Sequence, residues 1–148
     1  MALLSAIIVK ADSKNPLPRF VSIKSNEVNV RAGPNLNASI EWIFIKKGEP
    51  VEVIAEYEQW RQVRDIKSEG GWVHASVLSS KRFVVIIGDN IVPLMSSHNG
   101  NSKIVVNIAP QVRCQLFKVI DDWCKIQCGE YNGWLQKKLL WGVYAEEK

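Results

Sequence analysis

Val28-Asn29-Val30-Arg31-Ala32-Gly33-Pro34, then Trp60-Arg61-Gln62-Val63, then Gly71-Trp72-Val73-His74, decides the fold, because most of this pattern occurs twice. The second copy reads Ile91-Val92-Pro93-Leu94, then Trp123-Cys124-Lys125-Ile126, then Gly133-Trp134-Leu135. A shift of 63 residues puts Ser39 on Ser102, Val53 on Leu116, Trp60 on Trp123 and Val63 on Ile126. One residue fewer in the next loop puts Gly71-Trp72 on Gly133-Trp134. Internal self-similarity of this kind marks one supersecondary unit used twice. A duplicated small unit points to binding more than to catalysis.

The segments between these anchors have strand length. Arg19-Phe20-Val21-Ser22-Ile23 and Val28-Asn29-Val30 alternate apolar and polar residues, the period of a half-buried strand. Gly33-Pro34-Asn35-Leu36-Asn37 and Lys46-Lys47-Gly48-Glu49-Pro50 carry turn residues, and Glu58-Gln59 and Asp121-Asp122 are tight turns before the two tryptophans. No segment sustains a helical period. Short strands with closely spaced turns predict an all-β protein of two small barrels. Units of roughly 60 residues bury only about 60% of their unfolded surface, so the two are expected to pack on each other. Phe83-Val84-Val85-Ile86-Ile87 is apolar on both faces and calls for burial on both sides. It lies between the repeats and is expected to bridge them.

The ends are simpler. Met1-Ala2-Leu3-Leu4-Ser5-Ala6-Ile7-Ile8-Val9-Lys10-Ala11 is too short an apolar run for a transmembrane helix and fits the remnant of a secretory signal. Residues 12–18 carry two prolines and read as a linker. The expected domains are residues 19–81 and 82–148, with the last four residues loose. Hydrophobic residues make up 47% of the chain, which argues against disorder, and the net charge of +4 favours anionic partners or a solvated basic surface.

The Asn-Val-Arg-x-Gly-Pro opening at residues 29–34, the hairpin ending at Trp60, and Gly71-Trp72-Val73 together resemble the bacterial SH3 domain family. The resemblance covers about residues 19–144, including Trp141-Gly142-Val143-Tyr144. The whole chain is similar to exported tandem bacterial SH3 proteins of Gram-negative bacteria. The second repeat departs from the opening motif, with Val92-Pro93-Leu94-Met95-Ser96-Ser97 in its place. The resemblance implies a five-to-six-stranded barrel per repeat, with one helical turn at Ala75-Ser76-Val77-Leu78. It also implies a non-enzymatic module, often tied to cell-wall binding, exported to the periplasm or envelope.

Three cysteines are present: Cys114, Cys124 and Cys128. Cys124 and Cys128 are four apart on one expected strand, roughly 13 Å, beyond the reach of a disulfide. Cys114 falls opposite or diagonal to Cys128 across the hairpin, so a Cys114–Cys128 bridge and three buried thiols both stay open. Relatives often carry a cysteine where Val119 stands. No ligand spacing suits a metal, no cofactor motif occurs, and no nucleophile sits beside a positioned base. The lysine doublets Lys46-Lys47, Lys81-Arg82 and Lys137-Lys138 are scattered over turns, unlike the basic stripe of a nucleic-acid binder. The candidate ligand-binding residues are Arg31, Tyr57, Trp60, Trp72 and His74, an aromatic set suited to sugar rings or peptide. Arg31 alternatively secures its own loop, and the four repeated tryptophans alternatively pack. Expected partners are cell-wall peptide or glycan recognised by the first repeat or, alternatively, an envelope protein for which the chain is an adaptor.

Overall fold

The computed structural model describes residues 15–44 and 46–148. The expected signal remnant at residues 1–11 and the first part of the linker lie outside them. The first half contains β1 (Arg19–Ile23), β2 (Val28–Arg31), β3 (Ile40–Phe44), β4 (Pro50–Tyr57), β5 (Trp60–Arg64), β6 (Gly70–His74) and β7 (Leu78–Ser79). The second contains β8 (Arg82–Ile86), β9 (Val92–Met95), β10 (Ile104–Ile108), β11 (Arg113–Ile120), β12 (Trp123–Cys128), β13 (Tyr131–Gln136) and β14 (Leu140–Trp141).

The strands form two seven-stranded antiparallel sheets, ordered β3-β2-β6-β5-β4-β1-β7 and β10-β9-β13-β12-β11-β8-β14. The second order is the first with seven added to each strand, so the halves are copies. The all-β architecture in two units is the one that strand length and turn spacing predict. A single 3-10 turn, Ala75–Val77 or Lys137–Leu139, precedes the last strand of each sheet.

The repeat register differs slightly from the one the tryptophans suggest. The backbone amide of Ala32 donates to Ser39 O, and the corresponding bond runs from Ser96 to Lys103 O. Ser39 therefore corresponds to Lys103, not Ser102. The copies are 64 residues apart over β2 and β3, and 63 apart at Trp60 and Trp123. The connection from β10 to β11 is one residue shorter than that from β3 to β4, which absorbs the difference.

Each sheet wraps its own core. Val28, Val30, Val51, Val53, Val63 and Val73 converge in the first domain. Leu94, Ile108, Leu116, Ile126, Leu135 and Leu140 do so in the second. β-branched residues dominate the first core, as a pleated, half-buried surface favours. The hairpin turns at Glu58 and Asp121 carry positive φ values of 49° and 50°, the left-handed geometry that two-residue hairpin loops need.

β8 is buried on both faces. Val84 and Ile86 enter the second core, while the ring of Phe83 on the opposite face lies against Gly48 of the first domain. Phe20, at the equivalent position in β1, reaches the other way, with ring centroids 5.0 Å from Trp141 and 4.5 Å from Tyr144. Polar contacts frame this apolar seam. Arg113 makes paired 2.9 Å bonds to Glu49, the Tyr144 hydroxyl donates to Glu52 at 2.6 Å, and Ser22 Oγ donates to Lys81 O at 2.7 Å.

The last four residues are not loose. Arg82 holds the Glu147 carboxylate with bonds of 3.0 and 3.1 Å, and buried Lys137 donates to Ala145 O at 3.1 Å and to Glu147 O. Arg82 lies 65 positions from Glu147, and Lys137 holds backbone carbonyls that any residue would offer, so the segment's charged composition by itself suggests a free tail.

The Gly-Trp pairs have a steric cause. A Cβ at Gly71 would lie 2.7 Å from Arg31 O, and one at Gly133 would lie 2.5 Å from Leu94 Cγ and 2.7 Å from Met95 O. β6 and β13 cross β2 and β9 there, so only hydrogen fits. Gly71→Ala and Gly133→Ala are each expected to lose about 1–3 kcal/mol of stability through overpacking. Urea unfolding measures this, and unchanged midpoints would contradict the steric account.

Candidate ligand-binding face

The five candidate residues sit on four adjacent strands. Tyr57 pairs with Trp60, and Trp60 with His74. Gln62 pairs with Trp72, and Trp72 with Arg31. Directly paired residues project to the same side of a sheet, with Cβ atoms about 5 Å apart. The structure therefore gathers Tyr57, Trp60, Trp72, His74 and Arg31 into two rows on one face of the first domain, with Gln62 added to the set.

Their roles separate by exposure and bonding. Tyr57 is 44% exposed, whereas Trp60 is 9% exposed and packs edge-on against His74 at 5.4 Å. Trp60 is thus a floor for the face and not an open platform. His74 Nδ1 accepts from the Ser76 backbone amide at 3.2 Å, capping the 3-10 turn. In the neutral ring this leaves Nε2–H as the free donor. Arg31 Nη1 donates to Leu36 O at 3.1 Å and Ala38 O at 3.0 Å. Arg31 secures its own loop, the alternative its sequence position left open.

The second domain carries the same face in altered form. Met95 pairs with Trp134 where Arg31 pairs with Trp72. With no arginine, the loop is held by short polar bonds, including Ser102 Oγ to Ser97 O and Ser97 Oγ to Asn99 Oδ1, both at 2.9 Å. The His98 ring lies 4.4 Å from that of Trp134 at a tilt of 48°, while among the described residues Trp72 has no ring neighbour. A cavity of about 460 Å3 missed by sequence reasoning lies beside the second 3-10 turn, walled by Gln136, Lys138 and Asp122 and by Val143 and Ala145 of the terminal segment. Only the pinning of that segment creates its far wall.

Cys114 and Cys128 form a disulfide, with Cα atoms 4.5 Å apart, and Cys124 is a buried free thiol. The pairing depends on a β-bulge between Leu116 and Lys118. Counted straight back from the turn pair Ile120 and Trp123, Cys128 would face Gln115. The extra residue, Phe117, shifts the ladder by one and brings Cys114 opposite Cys128. Among the described residues, no three ligand-type side chains converge as a metal site requires.

A family model described as "Bacterial SH3 domain" matches residues 24–80 and 88–142. The Bacillus subtilis (strain 168) protein named "Putative N-acetylmuramoyl-L-alanine amidase YrvJ" is 29% identical over 128 residues, covering 80% of this chain and 24% of its own length. This chain thus spans about a quarter of that relative. Two solved structures from Trichomonas vaginalis are also similar. NlpC1 has a TM-score of 0.37 at 15% identity, with 91% of this chain and 49% of that one covered. NlpC2 has a TM-score of 0.40 at 14% identity, with 88% and 50% covered.

Burial pushes the Cys124 thiol up from 9.0 to about 11. One thiol per chain is expected to react with iodoacetamide in denaturant and none in the native protein at pH 8. The unfolded thiol ionises first, so this group costs no stability below pH 9.0 and progressively more as pH rises towards about 11. Reducing the disulfide, with its sequence separation of 14, is expected to cost about 3 kcal/mol. Urea unfolding with and without dithiothreitol checks the cost, and coincident curves would contradict it.

Proposed function

Because the chain belongs to the bacterial SH3 domain family through both of its domains, we propose that it is a non-catalytic binding module of the bacterial envelope. It recognises peptidoglycan peptide or glycan on the first domain. The observation that carries this reading is the asymmetry of the two equivalent faces. In the first, Tyr57 is open, His74 offers a ring donor and Trp72 has no ring against it. In the second, the His98 ring lies against Trp134. Flat aromatic faces with a few polar groups suit sugar rings and extended peptide.

Two further findings support the envelope. The Cys114–Cys128 bridge persists in oxidising compartments, consistent with a periplasmic or envelope-associated location. The amidase name of the Bacillus subtilis relative refers to a cell-wall substrate. Among the described residues no helix is long and apolar enough to cross a membrane.

A protein partner is the second reading, an adaptor role favoured by the sheet edges. β3 and β10 are edge strands and expose Ile40, Ile43, Ile104 and Val105. Unpaired edges with apolar side chains template strand addition.

Pull-down on purified sacculi at physiological salt tests the first reading. The protein is expected in the pellet. Trp72→Ala and Tyr57→Ala are each expected to weaken retention at least about tenfold, as aromatic hot spots do, while Trp134→Ala leaves it unchanged. Tyr57→Ala is the cleaner variant, because its exposed ring contributes little to the core. Absence of retention, or equal loss in all three variants, would overturn the reading.

A further inference from the structure

The arginines and lysines of this chain do different work. Five of the six arginines are ion-paired with glutamates: Arg19 and Arg61 with Glu56, Arg64 with Glu52, Arg82 with Glu147 and Arg113 with Glu49. The sixth, Arg31, holds loop carbonyls. The net charge of +4 is therefore expressed at the surface by lysines.

Three of those lysines line one cleft. It measures about 250 Å3 and lies where the two domains meet, with Lys24, Lys47 and Lys81 from the first domain and Phe83 and Gln115 from the second. Lys24, Lys47 and Lys81 are exposed, and none has an ion-pair or hydrogen-bond partner for its ammonium group among the described residues. No carboxylate lines the cleft. Like charges gathered in a concavity repel one another, and low-dielectric walls focus their field towards an incoming anion.

The rest of the lining is complementary. Ser79 Oγ accepts from the Lys81 amide at 3.2 Å, which leaves its own proton free to donate, and the Gln115 amide supplies further donors. Phe83 contributes an apolar wall. Gly48 beside it has φ of +86°, and a Cβ there would lie 3.3 Å from the Phe83 ring, so backbone geometry keeps this corner open.

We propose that the interdomain cleft between Lys24, Lys47, Lys81 and Gln115 binds an oxyanionic group, the chemistry shared by a carboxylate and a phosphate ester. This site is separate from the aromatic face and exists only when the two domains are docked. It gives the molecule a second point of contact with an anionic polymer.

The test is a titration of the isotopically labelled full chain, followed by amide chemical shifts, with inorganic phosphate in one arm and acetate in the other. Saturable shifts confined to the amides of Lys24, Gly48, Lys81 and Gln115 are expected in at least one arm. The responding arm identifies the oxyanion. A Lys24→Gln/Lys47→Gln/Lys81→Gln variant is expected to bind at least tenfold more weakly, and a Lys103→Gln/Lys125→Gln control to bind as the parent does. No shifts, shifts spread over all exposed lysines, or an undiminished response in the triple variant would overturn the proposal. The readout needs no sacculi, so failure of the peptidoglycan reading leaves it intact, and its own failure leaves sacculus retention through Trp72 intact.

Discussion

Phe20 and Phe83 hold the same position in the two repeats, and each places its ring against the other domain. The rest of the structure depends on this reciprocal packing. Each domain has a core of only a few valines, leucines and isoleucines, and units this small bury too little surface for robust stability alone. β1 and β8 solve the problem together. Each gives one face to its own core and the other to the neighbour. The seam thus behaves as a third hydrophobic layer shared by two sheets that are otherwise self-contained.

Polar groups set the geometry of that seam. Glu52 is only 6% exposed and is satisfied from both sides, by Arg64 of its own hairpin and by the Tyr144 hydroxyl of the second domain. Burial, then the bond to Glu52, holds the Tyr144 hydroxyl well above the usual tyrosine range, so it stays a donor throughout the working pH range. Arg113 reaches back to Glu49. A buried carboxylate left without partners is costly, so these bonds admit one docking angle far better than others. The same angle fixes the cleft beneath the lysines and the path of the terminal segment over Lys137.

Local features of the fold were legible in sequence. Paired tryptophans and Gly-Trp strands gave the repeat, turn chemistry gave the hairpins, and the doubly apolar run at residues 83–87 marked the seam. Tyr57, Trp60, Trp72 and His74 were legible as a set, because the β4–β5–β6 meander makes them neighbours by construction, whereas Arg31 joins them through the non-sequential pairing of β2 with β6. What escaped depends on single-residue irregularities or on docking. The register slip between Ser39 and Lys103 comes from one residue in a loop. The cysteine pairing turns on a bulge at Phe117 that composition does not announce. The terminus is held in part by Arg82, 65 positions from Glu147, the cavity follows from where that terminus is pinned, and the cleft needs both domains docked, contacts that loop closure and packing decide jointly.

The disulfide also makes the two halves unequal. A covalent clip ties the β11–β12 hairpin, while the matching β4–β5 hairpin is held by hydrogen bonds and side chains alone. A covalent cross-link withdraws freedom chiefly from the unfolded chain, so it favours the folded form of the second domain and offers the first no such help. The half that carries Tyr57 and Trp72 must therefore draw more of its stability from the shared seam at Phe20 and Phe83.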